Sequence, residues 1–296
     1  MWRLAAVVVA IAMLVAPCFR HMPYPYDDMS VADIPPERIA LLPGGANGSR
    51  IPPLFKGPFA PNARLKNAVH LFETEVVGSE CVAITSRGEL IMLDRQGFVF
   101  VAVPVKGSSA YKMTGRMFYV GPGRPLGFHV AGKWLYFCCS LKGLLRLNLG
   151  TGAIELLANA FQTLSIDSDR THVLTPITYA NDLDVASDGS VYFSSSADRI
   201  VTHTTWGNFY DTMRGYLLCA CCGYDAGKLL VYNPSTRRTT VVLDGLGFAN
   251  GVALSKDESW VAVVETNYAR ILRHWLKGPK VGETEILVDG LPGAAW

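Results

Sequence analysis

The stretch Ala180–Phe193 reads ANDLDVASDGSVYF, and a related stretch, Ala249–Ala262, reads ANGVALSKDESWVA. Each holds a short apolar run, a polar turn that contains Ser and Asp, and a second apolar run. Short runs with alternating or continuous apolar character are typical of half-buried β-strands. The two stretches therefore predict the same strand–turn–strand unit twice, with Asn181 and Asn250 at its start.

The unit has two weaker copies elsewhere in the chain. Ser79–Met92 fits the same frame without a gap and places Glu80 where the Asn stands. Leu126–Tyr136 fits the frame with one residue deleted and places Leu126 there. Each copy leads into a further strand pair closed by a turn, so the sequence predicts four strands per unit. Repeated four-stranded units are typical of β-propeller blades.

The predicted fold class is all-β, because Gly, Pro and Asn-Pro interrupt nearly every apolar run and disfavour helices. A β-sandwich is the alternative, and the repeated frame argues against it. The repeats account for four blade cores, and Leu287–Gly293 reads as the threshold of a fifth unit. An open ring leaves strand edges exposed, which proteins normally cover. We therefore expect either a fragment of a longer protein or an unusual closure.

Several strings taken together resemble those of the strictosidine synthase-like proteins, including their adipocyte plasma membrane-associated protein branch. They are Gly123–Gly127, Tyr179–Val185, Phe248–Ser255, Val264–Thr266, Arg270–Ile271 and Trp275–Lys280, in matching order and spacing. The resemblance covers about Leu65 to Gly293. It implies a six-bladed β-propeller, of which about four blades and the start of a fifth are present here. It also implies kinship with calcium-dependent paraoxonases, gluconolactonases and phosphotriesterases.

Equivalent places in three of the repeats carry one carboxylate and two amides, on Glu80, Asn181 and Asn250. Such places converge on the central channel of a propeller, and their oxygens are the hard donors that Ca²⁺ prefers. The resemblance implies the same ligands, since related calcium hydrolases carry theirs at this position. Those relatives add a ligand from a Pro-Asp-Asn string, whereas this chain ends in Gly293–Trp296. The competing interpretation is that each Asn is a turn residue.

Three further residues are candidates for the chemistry. Asp182 is the candidate general base or supporting group if Ca²⁺ polarises a carbonyl oxygen, and a capped β-turn is its alternative. The resemblance places the catalytic His of paraoxonase-like relatives where Leu126 stands, which weakens a His-driven mechanism. His129 then becomes a candidate substrate-binding residue, or an ordinary strand histidine. Arg124 is the other candidate for substrate binding, with a blade-anchoring contact to backbone carbonyls as its alternative.

The N-terminus carries a mostly apolar run, Leu4–Phe19, after a single basic residue. The run is short for a membrane span and long for the core of a simple signal peptide. We expect residues 1–20 to be a signal peptide or a signal-anchor, which would attach the protein to a membrane through residues 4–19. The expected localisation is the secretory pathway or endomembrane system, on its lumenal or extracellular side.

The segment that follows is rich in proline, and we expect residues 21–64 to be a linker ahead of an incomplete propeller over residues 65–296. Asn47 begins an Asn-Gly-Ser sequon in this segment, which predicts a glycosylated loop in the lumen. The six cysteines after Cys18 permit disulfides in an oxidising compartment, without defining their pairing.

Composition excludes one class of partner. The 296 residues carry a formal net charge of +2, and no segment concentrates basic residues, so we expect no nucleic-acid binding. The predicted function is calcium-assisted hydrolysis of an ester or lactone, with a small molecule as substrate. The first alternative is condensation of an amine with an aldehyde, as in strictosidine synthase itself. The second is a propeller that binds a ligand or partner without catalysis.

Overall fold

The structure is a computed structural model that describes residues 60–164, 172–203, 210–222 and 225–291. These ranges form three four-stranded sheets, one six-stranded sheet and a two-stranded ribbon. One α-helix, which the sequence did not predict, accompanies the strands in the described part of the chain. The all-β fold class is therefore confirmed at the level of these sheets.

We number the elements in chain order and call the large sheets I to IV. Sheet I consists of β1 (Val82–Ile84), β2 (Leu90–Leu93), β3 (Phe98–Pro104) and β4 (Tyr111–Tyr119). Sheet II consists of β5 (Pro125–Ala131), β6 (Trp134–Cys139), β7 (Gly143–Asn148) and β8 (Ile154–Ala158). Sheet III and its insertion comprise β9 (Ala160–Leu164), β10 (His172–Pro176), β11 (Ala180–Val185), β12 (Val191–Ser195), β13 (Thr202–His203), β14 (Tyr210–Asp211), α1 (Thr212–Cys222), β15 (Gly227–Asn233) and β16 (Arg238–Leu246). Sheet IV consists of β17 (Ala249–Leu254), β18 (Trp260–Glu265), β19 (Arg270–Trp275) and β20 (Thr284–Val288).

Sheets I, II and IV are antiparallel meanders in which each strand pairs with the next along the chain. Sheet III follows the same plan from β11 through β12 and β15 to β16. The hairpin β9–β10 extends its outer edge through one parallel pair, Gln162 with Thr240. The first strands of successive sheets contact one another, β1 with β5, β5 with β11 and β11 with β17. These four strands are therefore the innermost ones, as a propeller requires.

The polar turns predicted from the repeats lie where the sequence placed them. The Asp188 carboxylate accepts the backbone N–H of Ser190 at 2.8 Å between β11 and β12. Asp257 accepts the N–H of Ser259 at 3.2 Å between β17 and β18. A short acidic side chain that bonds the backbone two residues on closes the turn locally. The apolar runs on either side are then free to pair as antiparallel strands.

The hydrophobic core lies between neighbouring sheets, because alternate strand residues point to opposite faces. Val99 and Phe137 are buried between sheets I and II, and Phe193 is buried between sheets II and III. Leu229 and Val263 fill the contact between sheets III and IV. Full burial of a side chain of this size contributes roughly 1.5–3 kcal/mol. The sheets are thus held side by side by successive apolar layers.

Several predictions fall on residues outside the described ranges. They are the signal segment 1–20, the sequon at Asn47 and most of the linker 21–64. Residues 60–81, which precede β1, contain turns and no strand or helix. The described cysteines Cys81, Cys138, Cys139 and Cys219 are free thiols.

The close approach of β5 to β11 depends on Gly127. A Cβ at this position would lie 1.9 Å from Oδ1 of Asp182, so no larger residue fits without movement. We expect Gly127→Ala to lower the free energy of unfolding by about 1–3 kcal/mol, the usual cost of overpacking. Urea denaturation measures the change. Gly150→Ala is the matched control, because its Cβ would meet Oδ1 of Asn148 at 3.2 Å and needs only a small adjustment. Equal midpoints for the two variants would contradict the packing argument.

Candidate functional site

A cavity of about 250 Å³ lies at the start of the innermost strands. All three predicted metal ligands and the candidate base line it together. The lining residues are Glu80, Cys81, Gly127, Asn181, Asp182, Asn250 and Gly251. The equivalent places in the repeats therefore do converge, and they bring two carboxylates and two amides to one cavity.

Asn181 offers a buried oxygen that has no hydrogen-bond donor. Its Nδ2 donates to Oγ of Ser196 at 2.8 Å, and that hydroxyl donates its single proton to the carbonyl of Ala249 at 2.6 Å. Because Ser196 must act as the acceptor for Asn181, the amide nitrogen faces Ser196 and Oδ1 faces the other way. The residue is 3% exposed, and Oδ1 is buried without a partner. Such orphaned acceptors are rare in folded proteins and call for an explanation.

Asn250 repeats this arrangement in sheet IV. Its Nδ2 donates to Oγ1 of Thr266 at 3.1 Å, and the residue is 3% exposed. Asn181 lies within β11 and Asn250 within β17, each at a shift in strand register. The interpretation of the two residues as turn residues is therefore wrong. Neither lies in a turn, since both sit at the start of an innermost strand.

Asp182 also lies within β11, so its interpretation as a capped β-turn is wrong as well. Its Oδ2 accepts the backbone N–H of Val252 on β17 at 2.9 Å. Burial raises the pKa of this carboxyl, while hydrogen bonds from Val252 and Leu183 and the charge of His129 counteract it. The negative charge of Asp184 raises the pKa further. Asp182 is thus a partly buried acid, one oxygen of which accepts a hydrogen bond from the neighbouring sheet.

Glu80 lies just before β1. Part of the residue is exposed, but its carboxyl group, which lines the cavity, is largely removed from water. This desolvation raises the pKa of Glu80 to about 7. The positive charge of Arg124 counteracts the rise, and the negative charge of Asp182 adds to it. Two acids that share one cavity disfavour each other's ionisation. A bound cation would favour the ionised form of both acids.

The two predicted substrate-binding residues do not line this cavity. Arg124 donates from Nη1 to the carbonyl of Gly78 at 2.8 Å, so it anchors the segment that leads into β1. Nδ1 of His129 on β5 lies 3.1 Å from Oδ1 of Asp184 on β11. The other oxygen of Asp184 accepts the N–H of Leu254 on β17 at 2.8 Å. His129 and Asp184 therefore link three sheets in one chain of hydrogen bonds.

Leu126 explains why the second repeat contributes no donor. It is 3% exposed and packs in an apolar cluster with Tyr179 and Phe248 beneath α1. The sequence did not reveal Ser196 and Thr266, which orient the two amides. A signal for them exists, because each hydroxyl directly follows the second strand of its copy, β12 or β18. Only the strand register shows that these hydroxyls lie beside the amides.

The described residues contain no cluster of three or more His, Cys, Asp or Glu side chains placed to hold a metal ion. The candidate site combines two carboxylates with two amides instead. The helix α1, Thr212–Cys222, is too short to cross a bilayer, and no other helix in the described ranges qualifies.

Comparison with known proteins relates the chain to one family. Residues 181–279 match the family model described as strictosidine synthase. Protein STRICTOSIDINE SYNTHASE-LIKE 13 of Arabidopsis thaliana is 38% identical over 174 residues, covering 58% of this chain and 37% of that protein. The adipocyte plasma membrane-associated protein of Salmo salar is 32% identical over 256 residues, covering 82% of this chain and 55% of that protein. The chain thus spans about half the length, or less, of these curated relatives.

A solved gluconolactonase from Xanthomonas campestris superimposes with a TM-score of 0.50 at 18% identity. The match covers 74% of this chain and 66% of that one. At this identity the likeness defines the fold alone, and together with the sheets described above it makes the protein a β-propeller. The family match and the curated relatives place the chain in the strictosidine synthase-like family.

The His129–Asp184 pair predicts how stability depends on pH. The hydrogen bond from Asp184 raises the pKa of His129 above its usual 6.5, although burial counteracts it. Burial alone would raise the pKa of Asp184, but the bonds from His129 and Leu254 lower it below its usual 3.8. The pair therefore stabilises the fold at pH values between the usual pKa values of Asp184 and His129. This stabilisation is lost as pH rises through the folded pKa of His129.

We expect His129→Gln to lose about 0.5–1 kcal/mol at about pH 6 and less at about pH 8, because water screens this half-exposed pair. Glu80 titrates in the same range, so the measured quantity is the difference between wild type and variant in urea denaturation at each pH. His274→Gln is the control, since His274 bonds Thr284 and burial lowers its pKa. A difference that does not shrink as pH rises would contradict the role assigned to the pair.

Proposed function

We propose that this propeller binds Ca²⁺ in the cavity at the start of its innermost strands and hydrolyses an ester or lactone there. The observation that carries the proposal is the buried, unpartnered Oδ1 of Asn181. A neutral oxygen fixed in this way has lost its water and gained no donor, which costs free energy. A cation in the cavity would supply the missing partner.

The donor set fits calcium by its chemistry. Glu80, Asn181, Asn250 and Asp182 present carboxylate and amide oxygens, the ligands that Ca²⁺ takes in proteins. Zn²⁺ favours nitrogen and sulfur ligands. The two acids supply negative charge, while Ser196 engages the amide nitrogen of Asn181 and leaves its oxygen for a cation. Glu80, Asn181 and Asn250 are thus the proposed ligands.

Bound calcium would polarise a carbonyl or phosphoryl oxygen of the substrate. Asp182 is the proposed general base, because its Oδ1 lies at the wall formed by Gly127. Its other oxygen is held by the Val252 N–H, so the carboxylate keeps one orientation while it accepts a proton from water. Arg124 and His129 remain proposed substrate-binding residues, although neither lines the cavity itself.

Two rival functions belong to other classes. Condensation of an amine with an aldehyde would use the same channel, as in the enzyme that names the family. A propeller that only binds a ligand would keep the channel without turnover. The oxygen-lined cavity that contains the Asp182 carboxylate favours hydrolysis over both, since neither rival requires a cation beside an acid.

The remaining parts of the proposal concern the number of blades and the cellular location of the protein. A six-bladed ring is supported by Val82 and Ile84, which point away from sheet II and are 60% and 65% exposed. Another blade would cover this apolar face. We also propose entry into the secretory pathway through residues 1–20, with a lumenal or extracellular propeller. Membrane attachment through residues 4–19 and glycosylation at Asn47 belong to the same proposal.

Calcium affinity tests the ligand assignment. We expect Asn181→Ala and Asn250→Ala each to weaken Ca²⁺ binding by about tenfold or more, because each removes an oxygen worth about 1.5–3 kcal/mol to a charged partner. Isothermal titration calorimetry on chelator-treated protein gives the dissociation constants. Asn233→Ala is the control, since Asn233 caps an exposed turn through Ser235 and Thr236. Unchanged affinity in both site variants would remove the assignment.

Turnover tests the reaction. We expect hydrolysis of phenyl acetate or of a γ-lactone to stop in excess EDTA and to return with added Ca²⁺, since the carbonyl is then polarised again. Asp182→Asn is expected to lower kcat by about a hundredfold or more, the usual contribution of a general base. Hydrolysis that continues in EDTA would eliminate the calcium-dependent mechanism. Product from an arylethylamine and an aldehyde, without ester hydrolysis, would favour the condensing enzyme.

A further inference from the structure

A second cavity, with a volume of about 610 Å³, lies between sheets II and III. We call it the inter-sheet cavity. Sheet II contributes Tyr136, Arg146 and Glu155 to its lining, and sheet III contributes Tyr232 and Arg237. The lining also includes the turn that follows β11, whereas the proposed metal site lies at the start of β11. The two cavities are therefore at opposite ends of the innermost strands.

The guanidinium of Arg146 is held in place by sheet II. It lies over the ring of Trp134, with 4.1 Å between Cζ and the ring centroid. Its Nε and Nη2 donate to Oε2 of Glu155 at 2.9 and 2.6 Å. Its Nη1 faces Tyr136, whose hydroxyl oxygen is 3.5 Å away. Because these contacts already fix the guanidinium, it loses little conformational freedom when its remaining N–H groups bind a ligand.

Tyr232 supplies a hydroxyl that the fold itself does not use. The residue is 6% exposed and packs in the core between sheets II and III. Its hydroxyl nevertheless forms no hydrogen bond within the part of the chain that the structure describes. A buried tyrosine usually finds a partner for its O–H group. Since Tyr232 lines the inter-sheet cavity, a bound molecule would be that partner.

Arg237 supplies a positive charge that the protein does not balance. It lies in the turn between β15 and β16, which the side chain of Asn233 closes. Arg237 forms no ion pair with any residue of the described ranges, whereas the charge of Arg146 is balanced by Glu155. The lining of the inter-sheet cavity thus carries a net positive charge.

The polar groups of the inter-sheet cavity favour an anion as the ligand. Guanidinium groups only donate hydrogen bonds, and phenol hydroxyls can donate as well. The forked N–H groups of Arg match the oxygens of a phosphate, which is doubly or nearly doubly charged at neutral pH. Asp188, next to the lining residue Gly189, is already engaged, because its two oxygens accept the N–H and the hydroxyl of Ser190.

The inter-sheet cavity is larger than a phosphate group requires. Its volume falls within the range of about 300–1,000 Å³ that is usual for pockets that bind small organic molecules. Leu156, Leu157 and Pro234 line another part of its wall. These apolar side chains suit an organic group attached to the phosphate.

We propose that the inter-sheet cavity binds a phosphate monoester, with the phosphate between Arg146 and Arg237 and the organic group against the apolar part of the wall. The hydroxyl of Tyr232 donates to a phosphate oxygen. A free phosphorylated small molecule and the headgroup of phosphatidic acid share this chemistry, so the test has one arm for each. The site is independent of the calcium-assisted hydrolysis proposed above.

Binding of sn-glycerol 3-phosphate, measured by isothermal titration calorimetry, tests the free molecule. Arg237→Ala is expected to weaken binding by about tenfold or more, because it removes a charge-assisted contact. Arg238→Ala is the matched control, since it removes the same charge from a residue that does not line the cavity. Its affinity should stay within about twofold of wild type, because exposed charges at a distance are screened. Equal losses in the two variants, or equal affinity of wild type for acetate, would overturn the proposal.

Tyr232→Phe removes only the hydroxyl. We expect it to weaken binding of sn-glycerol 3-phosphate by about threefold or more, the value of one hydrogen bond. Without ligand, its midpoint in urea should equal or exceed that of wild type, because the hydroxyl has no partner in the fold. A lower midpoint would contradict the role of this hydroxyl. Asn181→Ala should bind sn-glycerol 3-phosphate like wild type, and a loss there would move the phosphate to the proposed metal site.

Co-sedimentation with vesicles tests the lipid headgroup. The vesicles are phosphatidylcholine with phosphatidic acid, and phosphatidylcholine with phosphatidylserine at equal charge is the control, because its phosphate is a diester. Preference for phosphatidic acid that Arg237→Ala removes and Arg238→Ala retains would assign the site to the lipid. Binding of sn-glycerol 3-phosphate without this preference would assign it to a free molecule. Absence of both would overturn the proposal.

Discussion

The carboxylate of Asp182 fixes how the innermost strands of sheets II, III and IV fit together. One oxygen takes the Val252 N–H of β17, and the other occupies the space that a Cβ on Gly127 of β5 would fill. A buried carboxylate is costly unless hydrogen bonds compensate it. Asp184, two residues further along β11, accepts the N–H of Leu254 on β17 in the same way. These two acids therefore set the register between sheets at the height of the cavity.

The strand register also fixes how the side-chain amides of Asn181 and Asn250 are oriented. An amide in a propeller channel can present either its oxygen or its nitrogen. The amide nitrogen of Asn181 donates a hydrogen bond to the hydroxyl of Ser196, and that of Asn250 donates one to the hydroxyl of Thr266. The oxygen of each amide then lies on the side away from its hydroxyl, and both residues line the cavity together with two acids. In sheets III and IV, one hydroxyl each orients the amide of the repeated unit.

The asymmetry of the molecule arises from a different source. Three sheets close their second and third strands with a short turn, whereas sheet III carries the insertion with β13, β14 and α1. The insertion packs on residues that directly precede the innermost strands, such as Tyr179 and Phe248. The repeats thus supply similar strands around the channel, and one insertion makes the surroundings of these strands unequal. Function in a common fold resides in such local additions.

The sequence by itself determined the strands, their turns and the meeting of Glu80, Asn181 and Asn250. Those features follow from local periodicity and from repetition, because equivalent places in equivalent units must converge. It left two alternatives open for each Asn, and it gave no sign of α1 or of the pairing of His129 with Asp184. Only the tertiary structure decided these points. The orientation of an amide and the partner of a carboxylate depend on residues far apart in the chain, which no local pattern records.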